Sequence, residues 1–145
     1  MSYSSQQDSI KSIVIVGGGA TGVELAGSLA EMKKRIFPKD YYELDTLEID
    51  IHLIQGGDRL LAGMSTFSSE STLDYLQKLG IRVQLKTRVT GYDGETVYLG
   101  NGTTIPSKKL IWAAGITGNP VKGLPEESIA RGNRMAVDEY NRVKN

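Results

Sequence analysis

The stretch Ile13-Val14-Ile15-Val16-Gly17-Gly18-Gly19-Ala20-Thr21-Gly22-Val23-Glu24-Leu25-Ala26-Gly27 decides the fold. An apolar run leads into Gly-x-Gly-x-x-Gly, and the chain then reads as helix. A buried parallel strand delivers the backbone to a tight turn at Gly17. Gly19 carries no side chain, so a pyrophosphate can approach the main chain. Gly22 lets the following helix pack close to the strand. The helix start then offers free N–H groups and the positive end of its dipole to phosphate oxygens. Glycines alone are a weak signal. Flanked by this strand and this helix, they predict a dinucleotide-binding turn. The plainer alternative is a glycine-rich connection that holds no ligand.

The 145 residues suffice for one domain with a real core. Seventeen basic and seventeen acidic residues cancel, so nothing favours electrostatic capture of nucleic acid or of an anionic membrane. No apolar run approaches the roughly 18–20 residues of a membrane helix. The polar segment Met1–Ser9 lacks the apolar centre of a signal peptide and reads as a disordered lead-in. The chain has no cysteine, which fits a cytoplasmic protein and excludes a dithiol centre, a thiolate nucleophile and a cysteine zinc site within it. A single histidine, His52, excludes multi-histidine metal sites, so no metal is expected.

Along the chain, Ser12–Val16 reads as a first strand and Thr21 to about Phe37 as a first helix, ended by Pro38. An aromatic and acidic connection, Phe37–Glu48, leads to a second strand at Ile49–Gln55. A second helix is expected near Thr66–Leu79, with Phe67, Leu73, Leu76 and Leu79 on one face and Gly80 as its left-handed end. Ile81–Leu85 reads as a third strand. The pattern then changes: Arg88–Tyr92, Thr96–Leu99 and Thr104–Pro106 are short strands separated by Asp93-Gly94 and Asn101-Gly102, which signals an antiparallel meander. Lys109–Ala113 returns to the parallel sheet as a central strand. Gly115–Gly132 reads as loop, and Arg134–Asp138 as a last short strand.

The opening motif and three further segments carry a family resemblance. Ile15–Gly27 resembles the NADH-binding motif of type II NADH dehydrogenases, membrane-peripheral flavoproteins that pass electrons from NADH through FAD to quinone. Leu53-Ile54-Gln55-Gly56-Gly57-Asp58-Arg59-Leu60-Leu61 resembles the end of that family's second strand. Leu110-Ile111-Trp112-Ala113-Ala114-Gly115-Ile116 resembles its second glycine motif, and Arg131-Gly132-Asn133-Arg134-Met135-Ala136-Val137-Asp138 its return into the FAD domain. The resemblance implies an α/β, Rossmann-like three-layer FAD/NAD(P)-binding domain: a parallel sheet with helices on one face and a small meander on the other. It also implies that residues 10–145 are an NAD(H)-binding domain excised from a larger FAD-dependent enzyme. The FAD motifs and the membrane-binding part of that enzyme lie outside this chain. The partners implied are NADH, the FAD domain of the same protein and quinone. The whole enzyme is expected to be peripheral on the cytoplasmic face of the membrane, and the isolated chain to be inactive. Two alternatives stay open. One is the NAD(P)H domain of another disulfide-reductase-type flavoprotein. The other is a free-standing nucleotide-sensing module.

Gly17, Gly18, Gly19, Ala20, Thr21 and Gly22 form the expected pyrophosphate cradle, with Thr21 adding a hydroxyl or a backbone N–H. Glu24 lies one turn into the helix. The resemblance gives it an orienting or proton-handling role beside nicotinamide and flavin, and the plainer reading is an acid favoured by the helix dipole. Gln55 stands where an NAD site usually has Asp or Glu to accept from the adenosine ribose, 33 residues after Gly22 (55 − 22). Glutamine can still bond a ribose hydroxyl but does not repel a phosphate. NADH is therefore expected with weaker exclusion of NADPH than a carboxylate gives. Arg59 either offers a cation to a 2′-phosphate, closes over the adenosine or makes a structural ion pair. Ala113, Ala114 and Gly115 are small enough for ligand to lie on the backbone. His52 reads as structural, and Trp112 as core or as a lid on the meander.

Overall fold

In a computed structural model, which describes residues 12–40, 49–119 and 122–143, the apolar run ahead of the glycines is strand β1 (Ser12–Val16). Helix α1 (Ala20–Arg35) follows, then a four-residue helix α2 (Phe37–Asp40), β2 (Asp50–Ile54), α3 (Thr66–Lys78) and β3 (Arg82–Gln84). Next come β4 (Val89–Tyr92), β5 (Thr96–Leu99), β6 (Thr104–Pro106) and β7 (Lys109–Trp112). The expected lead-in, and residues 41–48 of the connection before β2, lie outside the described residues.

The parallel sheet has the order β3-β2-β1-β7, and β4-β5-β6 form a separate antiparallel meander. Val16 is level with Ile54 on one side and Trp112 on the other. Side chains of a strand alternate between faces, and β1 shows what that achieves. Ile15, with Ile51 and Leu53 of β2, packs on Ala26 and Ala30 of α1 and Leu76 of α3. Val14 and Val16, with Ile54, pack on Val97, Leu99 and Ile105 of the meander. Each fully buried aliphatic side chain in these layers contributes about 1.5–3 kcal/mol. Ser107 locks the meander to the sheet: its hydroxyl, fully buried, donates to the Ser12 carbonyl at 2.7 Å and accepts from the Lys109 N–H at 3.1 Å.

His52 is buried on β2 and, as expected, serves the sheet. Its Nδ1 has no hydrogen-bond partner, and burial, then the nearby Arg82, push its pKa down against the opposing pull of Asp50. Gly80 ends α3 with φ +84, the left-handed conformation that its position demanded.

Several expectations need correcting. Phe67 is not on the buried face of α3; it is 78% exposed, because the nine residues from Phe67 to Leu76 turn the helix through about 900°, which sets Phe67 opposite the buried Leu76. Trp112 is neither core nor a meander lid, being 61% exposed on a strand that forms an edge of the four-stranded sheet. For the same reason Ala113 and Ala114 do not end a central strand. The first helix stops at Arg35, before Pro38, and the proline sits in the first turn of α2, where a missing N–H costs nothing. In the two hairpin turns only Gly94 and Gly102 take positive φ. These turns are thus longer than the two-residue type that an Asp-Gly or Asn-Gly pair suggests, and Asp93 caps its own turn by accepting from the N–H groups of Glu95 and Thr96.

A second compact unit starts at Gly115. Within it the expected loop contains a 3-10 turn (Glu126–Ser128) and the short strand β8 (Ile129–Ala130), which pairs with β9 (Arg134–Met135). Among the described residues no helix is long and apolar enough to cross a membrane.

Candidate nucleotide-binding site

Two close backbone approaches shape the glycine turn. Gly17 has φ +115, and a Cβ there would lie 2.8 Å from the Ala113 carbonyl group and from the Ala114 nitrogen. Gly22 is tighter still: its Cβ would meet the Gly17 carbonyl oxygen at 1.8 Å, so only glycine lets α1 descend onto the end of β1. Gly19 is the opposite case. It is exposed, has φ −78, and nothing lies within 4 Å of where its Cβ would stand. It serves as the N-cap of α1, and no side chain caps the helix. The unpaired N–H groups of the first turn therefore face open space above Gly19, with the dipole favouring an anion there.

Gln55 shapes this turn from behind. Its Oε1 accepts from the Gly18 N–H at 2.9 Å, and its Nε2 donates to the Arg59 carbonyl at 3.3 Å. The Leu61 N–H donates to the Gly18 carbonyl at 2.8 Å, so the two loops are tied through both backbone polar groups of Gly18. The side-chain amide is thus committed to protein groups. Arg59 is also committed: its guanidinium donates to the Ala62 carbonyl at 2.6 Å and makes no ion pair among the described residues.

Between the meander and the carboxyl ends of β1, β2 and β7 runs a cleft of about 290 Å³. Val16, Ile54, Val89 and Ala114 supply apolar walls, and Trp112 and Arg88 line it as well. The chain leaves β1 toward β2 on one side and reaches β7 on the other, so this edge is the topological switch point, where open α/β sheets bind ligands. The structure therefore brings Gly17, Gly18, Gln55 and Ala114 to one edge, with Gly19, Ala20, Thr21 and Gly22 at the adjoining helix start. Thr21 is exposed and its hydroxyl caps nothing. Gly115, at φ +78, belongs to the second unit. Glu24, exposed in the second turn of α1, lines a separate groove with Gly27, Ser71, Thr72 and Tyr75. Sequence reasoning missed Arg88 and Trp112. No motif marks Arg88, and the exposure of Trp112 follows from β7 being an edge strand.

A glycine turn under an uncapped helix, at the switch point of a parallel sheet roofed by a meander, matches the family described as pyridine nucleotide-disulphide oxidoreductase over residues 2–145. The chain belongs to that family. Among curated relatives it is 35% identical over 109 residues to the type II NADH:quinone oxidoreductase of Haemophilus influenzae, a match covering 75% of this chain and 24% of that protein. It is 31% identical over 135 residues to the type II NADH:quinone oxidoreductase Ndh of Mycobacterium tuberculosis, covering 90% and 28%. The chain thus spans under a third of these relatives' length. In fold it is similar to NDH2 of Plasmodium falciparum, solved in complex with NADH, with a TM-score of 0.73, 24% identity, and coverage of 79% of this chain and 24% of that one. The resemblance to type II NADH dehydrogenases, and the three-layer fold it implied, both stand.

Proposed function

We propose that this segment is the NADH-binding domain of a flavin-dependent NADH:quinone oxidoreductase. The observation that carries the reading is the uncapped start of α1 above Gly19, where the main chain is open and the backbone N–H groups are free. The pyrophosphate lies there, and the dipole of α1 and the first-turn N–H groups hold it. The adenosine half extends toward Gln55 and Gly56, and the nicotinamide half toward the Ala113–Ala114 side. Glu24 orients the reacting end or handles a proton beside it.

When bound, FAD supplies the acceptor for hydride from the nicotinamide. The chain contains one Gly-x-Gly-x-x-Gly, which NADH occupies in this reading, so the flavin is held by other residues of the protein. This chain contributes position and electrostatics to a reaction whose chemistry resides in its cofactors. Quinone is the second substrate of the whole protein, which works at the cytoplasmic face of a membrane, and the isolated chain is catalytically silent. Titration of the chain with NADH tests the site: saturable binding that Gly19→Ala weakens tenfold or more is expected, and absence of binding refutes the assignment.

A further inference from the structure

We propose that Arg88 reads the adenosine 2′ position of the bound dinucleotide, and that the site accepts NADPH as well as NADH. The inference rests on the nucleotide-site reading above and adds its specificity residue. A site selective for NAD carries a carboxylate at the end of the second strand, which accepts from the ribose hydroxyls and repels a 2′-phosphate. Here that residue is Gln55, and its amide is turned inward onto the Gly18 N–H and the Arg59 carbonyl. Gln55 is a positioning residue of the glycine turn, and it leaves the ribose without a carboxylate partner.

The next two positions, Gly56 and Gly57, are exposed and carry no side chain, which leaves room for a ribose. Arg88 lies across the first of them: a Cβ on Gly56 would stand 3.3 Å from Arg88 Cγ and 3.7 Å from its Nε. The backbone beneath this arginine is anchored. Its carbonyl accepts from the Gly100 N–H at 2.8 Å, and the neighbouring Thr87 N–H donates to the Gln55 carbonyl at 3.0 Å. The Arg88 guanidinium makes no ion pair or hydrogen bond among the described residues. Arg59, the cation named from the sequence, directs one guanidinium nitrogen onto the Ala62 carbonyl at 2.6 Å. The other charges of this edge are Lys86, whose backbone N–H holds the Gly57 carbonyl at 2.7 Å, and the exposed Asp58. A planar guanidinium that is free, anchored and beside the ribose position matches a phosphate group bidentately.

The test is titration of the 145-residue chain with NADH and NADPH, and with the fragments 5′-AMP and adenosine 2′,5′-bisphosphate, at low and high salt. Wild-type affinity for NADPH is expected within tenfold of that for NADH, and to fall more steeply with salt. Arg88→Ala is expected to weaken NADPH and the bisphosphate tenfold or more, while NADH and 5′-AMP change less than threefold. Arg88→Lys restores part of the loss. Wild-type binding of NADPH more than tenfold weaker than NADH overturns the proposal. So does an equal loss for both dinucleotides in Arg88→Ala, or equal salt dependence in the wild type. The salt comparison needs no variant and stands even if Arg88→Ala misfolds. Failure of the wild type to bind any of the four ligands removes the nucleotide site itself, a result distinct from loss of the 2′ preference.

Discussion

Replacing Gly22 and Gly19 by alanine separates what the glycine turn does for the fold from what it does for the ligand. At Gly22 the new methyl would stand 1.8 Å from the Gly17 carbonyl oxygen, against a closest tolerable distance of 3.0 Å. The start of α1 must therefore retreat by at least 1.2 Å (3.0 − 1.8) from the end of β1. The obstacle is backbone, so no side chain can swing aside. Overpacking of this kind costs about 3 kcal/mol, the upper end of the usual range. The better helix propensity of alanine returns about 1 kcal/mol. A net loss of about 2 kcal/mol remains, and with an unfolding entropy of about 0.3 kcal/mol/K for a chain of this length, Tm is expected to fall by about 7 °C. Gly19 has φ −78 and open surroundings, so Gly19→Ala is expected to hold Tm within about 2 °C. Its methyl occupies the pyrophosphate approach, and NADH affinity is expected to drop tenfold or more. Thermal melts and NADH titration of the two variants decide the matter. A Gly22→Ala protein melting within 2 °C of wild type, or a Gly19→Ala protein that binds NADH normally, refutes the reasoning.

Other substitutions probe the clamp, the core and the chemistry. Gln55→Leu strands the Gly18 N–H and is expected to lower the unfolding free energy by about 1–3 kcal/mol in urea titration; an unchanged midpoint would show that the clamp holds nothing. Leu76, buried between α3 and the sheet, is expected to cost about 2–5 kcal/mol when cut to alanine, measured in the same way. His52 has a lowered native pKa, so below pH 6.5 the unfolded chain takes up a proton that the native chain refuses. Stability should therefore fall as pH drops below 6.5, and His52→Gln should flatten that slope; an identical slope in the variant excludes His52 as its source. Glu24→Gln in the full-length enzyme is expected to lower kcat with little change in NADH affinity, since Glu24 lies off the phosphate cradle; equal turnover returns it to a surface acid.

The parallel sheet was legible because its signals are local. Ser12–Val16 is bounded by glycine at one end, and its alternating side chains meet the two layers that a strand buried on both faces requires. What escaped the sequence depends on where elements end in space. Phe67 is the exception: at about 100° per residue it lies opposite Leu76 on α3, so its exposure was readable from helical phase. Strand β8 has two residues, too few to show alternation. The type of residue at position 55 was readable. Its orientation was not, because the Gly18 N–H that captures it lies 37 residues away and becomes a neighbour only when β1 and β2 pair. Arg88 was invisible for a similar reason: nothing in sequence links it to Gly56.

The wall against which Gly17 is pressed comes from Ala113 and Ala114, and Ser107 joins the same end of the chain to Ser12 across 95 residues. On the ribosome, the glycine turn is made early and its wall late. A nascent chain that stops at Lys86 holds β1, β2 and β3 but nothing against which to set the turn. The wall of the glycine turn is thus complete only once β7 has emerged and paired with β1, after the whole meander. In the proposed reading, a dinucleotide bound at this turn adds its binding free energy only after that sheet has closed.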